Sequence, residues 1–321
     1  MEPLKSTGRF KLPRSMGLIM GSKKSAGKRG GYLFLLPLIL FFVLMAYPLA
    51  RIFYLSVFEA TFLNPSNKEY VGSANFRWLF TFIFPGYEGI YFLNCLKRSM
   101  MWIAGSVSLK LLLGLGGALV LNQEFRGRSV YRALTIVPWA IPWAIGGMMW
   151  NWTFNTEFGI INGLLTRTGL IGTPIGFLGD EIPAFISCVV TDVWMGLPFM
   201  VFVFLAGLQA IPRDLYDASQ VDGASGTQQF IHITIPQLKP VMVTAILLST
   251  LWTFNSFDNI LVLTGGGPLQ ATETLPIAIY NTAFRRIRFG GLGNASAMTA
   301  VQVAIVSILV LFYLWLSRRS K

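Results

Sequence analysis

The chain has 321 residues, of which 54% are hydrophobic and 12% charged, with a mean hydropathy of +0.58. A water-soluble domain carries about a quarter charged residues, so this composition excludes an ordinary soluble fold and places the apolar side chains in lipid. The net charge of +12 would point to nucleic acid in a soluble chain, but here the basic residues cluster in segments between apolar runs, where they act as topology signals.

Residues 1–30 form a basic tail rich in Lys, Ser and Gly, with an interfacial stretch expected near Leu18 to Met20. Six apolar runs follow, each long enough for a helix across a hydrocarbon core of about 30 Å. They are Leu33 to Val57, Ser99 to Leu121, Val130 to Trp152, Pro183 to Leu208, Val241 to Thr264 and Ala295 to Leu316. The first run is too long for a signal-peptide core and no small-residue cleavage site follows it, so it is expected to remain in the mature protein. Six spans put both ends on one side. Sixteen of the 26 Lys and Arg residues fall on the side of the termini and eight on the other, while Arg51 and Lys110 lie inside spans. The positive-inside rule therefore predicts cytoplasmic termini.

Enzyme motifs fail in turn. The stretch from Gly21 to Arg29 has one residue too many between its glycines for a phosphate-binding loop, and it lacks the Ser or Thr that would hold a metal. Gly114, Gly116 and Gly117 lie inside the second span, where small residues serve close helix approach. Cys95 and Cys188 sit in or beside apolar runs and give neither a disulfide framework nor a thiolate metal site. His232 has no partner at metal or catalytic spacing. The chain is thus expected to catalyse no bond breaking, to hold no metal or cofactor, and to draw its energy from a partner or an ion gradient.

Between spans four and five lies a loop, 209–239, too long for a simple turn. Pro212 can open a helix, and Asp214 and Asp217 suit its positive N-terminal end. Leu215, Ala218 and Val221 recur at helical spacing, and Gly223 supplies a turn. A second short helix is expected from Ala224 to His232, stopped by Pro236. The run Asp217-Ala218-Ser219, three residues, Gly223, nine residues, then Ile233-Thr234-Ile235-Pro236 resembles the EAA loop of binding-protein-dependent ABC importer permeases. Asp, Ser and Ile stand where that pattern has Glu, Ala and Leu. Tyr47-Pro48, Phe125 to Arg128, Tyr131-Arg132, Pro138-Trp139, Gly159 to Asn162, Trp194 to Phe199, Phe257-Asp258 and Thr264 to Pro268 extend the likeness to the maltose-type, carbohydrate-uptake branch over residues 33 to 316.

The resemblance implies an all-α integral membrane protein with six transmembrane helices in the ABC importer type I permease (MetI-like) architecture. Residues 31–321 would form the permease domain, and loop 209–239 would couple it to a cytoplasmic ATPase dimer that binds ATP and Mg. Leu215, Ala218 and Val221 would give apolar contact to that ATPase and Asp217 a charged one, with the bend at Gly223 and the motif's end at Pro236. A second homologous permease and an extracytoplasmic solute-binding protein are the further implied partners, in an inner membrane.

The cargo path should show as polar and aromatic residues on one face of an apolar span. Ser249, Trp252, Thr253 and Ser256 share such a face of span five, as Asp192, Gly196 and Phe199 do of span four. All but Asp192 also match substrate positions of the maltose permease. Helical geometry alone singles out Asp192, for which an internal ion pair with Lys110 is the competing role. Asp258 is expected to face away from Trp252 and to brace helices. Arg285, Arg286 and Arg288 form an outer basic cluster, read either as a solvated or partner-contact face, including the binding protein, or as a guide for anionic cargo such as a uronic-acid oligosaccharide of the alginate kind. The rival from another class is an ion-driven secondary carrier with Asp192 or Asp258 as its ion site.

Overall fold

The computed structural model describes residues 26–62 and 68–319. The stretch Leu18 to Met20, the first five residues of the stretch from Gly21 to Arg29, and Lys321 lie outside them. Two compact units are distinguished, Met1–Arg51 and Ile52–Lys321. The first contains most of helix α1 (Ala26–Leu55), an apolar helix with Pro37 and Pro48 inside it. Within it, Arg51 donates to the Tyr47 hydroxyl one turn back at 3.3 Å.

The second unit opens with a short antiparallel pair, β1 (Phe58–Glu59) and β2 (Glu69–Tyr70), which Asn75 clamps by donating to the carbonyls of Ser56 and Phe58, each at 2.9 Å. Its helices are α2 (Ala74–Thr81), α3 (Tyr91–Asn122), α4 (Arg128–Ala140), α5 (Trp143–Thr153), α6 (Ile160–Arg167), α7 (Glu181–Gln209), α8 (Arg213–Val221), α9 (Gly226–Gln229), α10 (Ile235–Phe254), α11 (Asp258–Leu263), α12 (Leu275–Tyr280) and α13 (Leu292–Arg319). Among the described residues, five helical stretches are long and apolar enough to cross a membrane, and α4 with α5 make a sixth if that bent pair is one span.

The pair α3 and α7 forms the centre. Gly114 gives α7 room to approach, since a Cβ there would lie 2.5 Å from Met200 Cβ, and at Gly117 one would lie 3.1 Å from Val201. Gly116, by contrast, faces open space. Buried Ala118, Leu121, Met200, Phe204 and Leu208 then meet Leu238 and Ala245 of α10 in one apolar cluster. A second cluster joins α2, α3, α12 and α13 through Leu79, Phe92, Leu275 and Met298.

Three expected boundaries are corrected. The run Val130 to Trp152 is no straight rod, because α4 and α5 meet at 98°. Pro142 forces the residue before it out of helical geometry, and Ile141 sits at φ −87°, ψ 129°. Pro236 does not stop the second helix of the loop. Gly226 to Phe254 runs through as one helical stretch, with a wider π turn at Phe230–Thr234 that ends two residues before Pro236, in the first turn of α10, where the missing N–H and the ring are accommodated. The fifth span ends at Phe254 rather than Thr264, capped at Asn255, and α11 is separate.

Candidate functional site

A cavity of about 420 Å³ opens where α3, α7, α10 and α11 meet the α4–α5 bend. Every residue expected from the two helical faces lines it: Asp192, Gly196 and Phe199 of α7, and Ser249, Trp252, Thr253 and Ser256 at and beyond the end of α10. The Trp252 and Phe199 rings meet edge to face with centroids 4.7 Å apart, which makes one aromatic wall from two helices. Trp139 and Trp143 line the same space from either side of the Pro142 bend, and Phe257 adds a further ring. The sequence had marked Trp139 only as part of a motif, and gave no signal for Trp143 or Asn255.

One wall is charged. The Lys110 ammonium of α3 lies 2.5 Å from Asp192 Oδ2, with both side chains almost wholly buried. It also donates to the Thr253 hydroxyl at 3.1 Å, and the Ser106 hydroxyl donates to the same Asp192 oxygen. Trp102 Nε1 donates to the Thr253 carbonyl at 3.0 Å. Three helices are thereby tied at one node. Gly196 is what admits the lysine, since a Cβ there would stand 2.7 Å from Lys110 Cε and 3.0 Å from Nζ. The two roles weighed for Asp192 are therefore not exclusive: it is ion-paired and it lines the cavity.

Asp258 is a correction. It lines the cavity with Trp252 and Ser256 and is exposed, because α10 ends at Phe254 and helical periodicity no longer fixes where residue 258 points. Asn259 beside it, which the sequence did not single out, also lines the cavity.

The loop 209–239 holds its expected residues on an exposed element. Leu215, Asp217, Ala218 and Val221 of α8 are all exposed, Val221 at 89%. The opposite face is tied down: the Tyr216 hydroxyl lies 2.9 Å from that of Thr234, and Gln229 Nε2 donates to Ser219 Oγ at 2.8 Å. Gly223 ends α8 with φ +81°, its N–H donating to Gln220 O and that of Ala224 to Ser219 O, the two bonds of a left-handed helix stop. Ser225 and Gln228 then form a capping box that starts α9. His232 Nδ1 lies 3.0 Å from Gln228 O, a local contact. Among the described residues no group of three metal-ligating side chains occurs.

The three arginines do not share one environment. Arg286 Nη1 binds both oxygens of the fully buried Glu273, at 2.7 and 2.9 Å, and stacks on Phe84. Tyr91 and Asn281 donate to the same carboxylate. Burial works against the Arg286 charge, yet Glu273 more than offsets this and holds the guanidinium above its usual range. Arg285 lies over the Tyr280 ring, and Arg285 and Arg288 are exposed. Glu273 is not among the residues that the sequence singles out.

Comparisons with known proteins fall on this same region. Residues 110–321 match the model of the family described as binding-protein-dependent transport system inner membrane component. A probable ABC transporter permease protein of Brucella suis biovar 1 is 36% identical over 291 residues, covering 90% of this chain and 97% of the relative. The trehalose/maltose transport system permease protein of Thermococcus litoralis is 36% identical over 299 residues, covering 90% and 93%. In fold, the chain is similar to a chain from the crystal structure of a bacterial ABC transporter involved in the import of the acidic polysaccharide alginate, with TM-score 0.74, 21% identity, and 90% and 94% of the two chains covered.

Proposed function

We propose, from the premise that the chain belongs to the family of binding-protein-dependent transport system inner membrane components, that it carries an oligosaccharide or related polyol through the cavity at Trp252 by alternating access. The family is one of ABC importer permeases with sugar-transporting members, not of enzymes. That membership leaves the ion-driven carrier without support.

The observation that carries the reading is the cavity wall itself. Flat apolar rings from Phe199 and Trp252 stand beside the hydroxyls of Ser249, Thr253 and Ser256. Rings offer the C–H face of a sugar an apolar surface, and hydroxyls exchange hydrogen bonds with its OH groups. Such a lining suits a cargo that is apolar on its faces and polar at its edges, and the volume falls in the range of small-molecule sites.

Energy would come from a partner ATPase dimer that binds ATP and Mg and grips α8. An exposed apolar stripe of Leu215, Ala218 and Val221 on a helix whose other face is bonded inward supports that reading. A second homologous permease completes the pathway, a solute-binding protein delivers cargo from outside, and both termini lie in the cytoplasm. Loop 209–239 then acts as the coupling element of a permease domain spanning 31–321, with Asp217 as its charged contact, Gly223 as its bend and Pro236 at its end.

The test is uptake of labelled sugar into vesicles carrying the full complex. Uptake should stop when ATP is removed from the cytoplasmic side and persist when ion gradients are collapsed, and an ATPase should co-purify with the chain. Uptake sustained by an ion gradient without ATP would overturn the reading.

A further inference from the structure

Asn259 is a cavity residue whose amide is buried and left unmet by the rest of the protein among the described residues. It is 1% exposed, it lines the cavity, and neither its Nδ2 nor its Oδ1 has a hydrogen-bond partner among the described residues. A buried amide left this way destabilises the fold, since its donor and acceptor both forfeit the hydrogen bonds that water would give them. Of the other lining polar groups, four are engaged. Thr253 and Lys110 are engaged with one another, Asp192 with Lys110 and Ser106, and the Asn255 amide with Leu251 O and Gln302.

The charge of the wall bears on what could meet that amide. Its ionisable residues are Lys110, Asp192 and Asp258. The first two neutralise each other. Asp258 has no ion-pair partner among the described residues and is exposed. Among the described residues the lining therefore carries one net negative charge, and its one cation, Lys110, is already paired. An anionic cargo would enter against Asp258 with no free cation to receive it, whereas a hydroxyl could donate to Asp258 and both donate to and accept from Asn259.

We infer that Asn259 is the residue through which this cavity reads its cargo, and that the cargo is an uncharged polyhydroxylated molecule. This rests on the proposal that the cavity is the transport path. An amide presents one donor and one acceptor side by side, the pattern that two neighbouring hydroxyls match. The two amide atoms are closed off in this conformation, so on this inference the wall has to open onto them as cargo enters. A strained or unsatisfied group retained at a site is a common trade of stability for function.

The experiment uses the full chain with its co-purified subunits, titrated calorimetrically with trehalose, maltotriose and raffinose, and in parallel with trigalacturonate. At least one neutral sugar should bind and trigalacturonate should not. Asn259→Leu, close in volume, should weaken neutral-sugar binding tenfold or more while raising the melting temperature, because it removes two unmet polar atoms. A purely structural Asn259 would lower the melting temperature on the same change. Asp258→Asn should admit trigalacturonate. Trp252→Ala separates the two readings. If neutral binding survives Trp252→Ala, or no probe binds at all, the cavity is not the path and the inference falls with it. If binding is lost in Trp252→Ala but Asn259→Leu changes it less than twofold, or if trigalacturonate binds the unaltered protein as well as maltotriose, this inference alone is overturned.

Discussion

Replacing Asp192 with leucine strands the Lys110 ammonium in a site where its side chain is 5% exposed. It would keep only the Thr253 hydroxyl at 3.1 Å, and Ser106 would lose its acceptor. At an effective dielectric of about 20, unit charges 2.5 Å apart attract by roughly 7 kcal/mol. Most of that offsets the desolvation of the two ions. The measurable quantity is therefore asymmetric: breaking one side of a buried pair costs about 3–5 kcal/mol, whereas exchanging both partners for apolar groups is often close to neutral. Thermal unfolding of the full chain in detergent should show Asp192→Leu and Lys110→Met each strongly destabilised, and the double variant restored to within about 1 kcal/mol of the unaltered protein. The coupling energy should then exceed about 2 kcal/mol. If the double variant lost as much as the two single losses added together, the pair would not be a unit and the node joining α3, α7 and α10 would be misread.

Further outcomes follow from neighbouring geometry. Gly196→Ala should destabilise by about 1–3 kcal/mol, the range for overpacking, and most of that loss should vanish in a Lys110→Ala background, where the atoms that the new Cβ meets are gone; thermal unfolding of the two pairs checks it. Gly223→Ala meets no atom within 4 Å, so its cost is the left-handed backbone alone, about 1–2 kcal/mol, and Gly223→Asn should cost less in the same assay. Glu273→Gln leaves Arg286 without its counter-charge and should lower the melting temperature more than Arg288→Gln does, since Arg288 is exposed and makes no ion pair among the described residues.

What the sequence revealed and what it hid divide along range and regularity. Spans were legible because a bilayer demands an unbroken apolar run, and α3, α7 and α13 lie over the runs so marked. The faces bearing Asp192 and Trp252 were legible because helical period holds inside α7 and α10. It stops holding at Asn255, with φ −94° and ψ 8°, and Asp258 was misassigned for that reason. Pro142 and Pro236 carry the same residue type and opposite outcomes. The first follows an extended Ile141 and makes a bend, while the second follows a π turn that absorbs it, a distinction set by backbone around the proline rather than by the proline. Glu273 was invisible because it lies between apolar runs, where no helical period pairs it with Arg286, 13 residues on, and Tyr91 is 182 residues away. Lys110 was half legible, since opposite charges inside apolar spans need each other, but only the fold brings residues 82 apart to contact.

The chain order of these elements makes the cavity answerable to α8. That short helix joins α7 directly to the α9–α10 stretch, and those two long helices supply Phe199 and Trp252, whose rings touch at the cavity wall. On the proposal that a motor grips α8, a displacement of α8 that shifts α7 against α10 would change that ring contact. Tyr216, Ser219 and Gln229 bind α8 to the start of the α10 stretch, so on that proposal a pull on α8 would be passed to α10. In the assembled complex, addition of ATP should change the tryptophan fluorescence, and Trp252→Phe should remove most of that change. Val221→Asp offers the decisive arm: Val221 is 89% exposed, so the chain's own melting temperature should hold, while ATPase co-purification and the ATP-dependent signal are both lost. An ATP response that survived in Val221→Asp, with the ATPase still bound, would mean that this face of α8 is not what the motor grips.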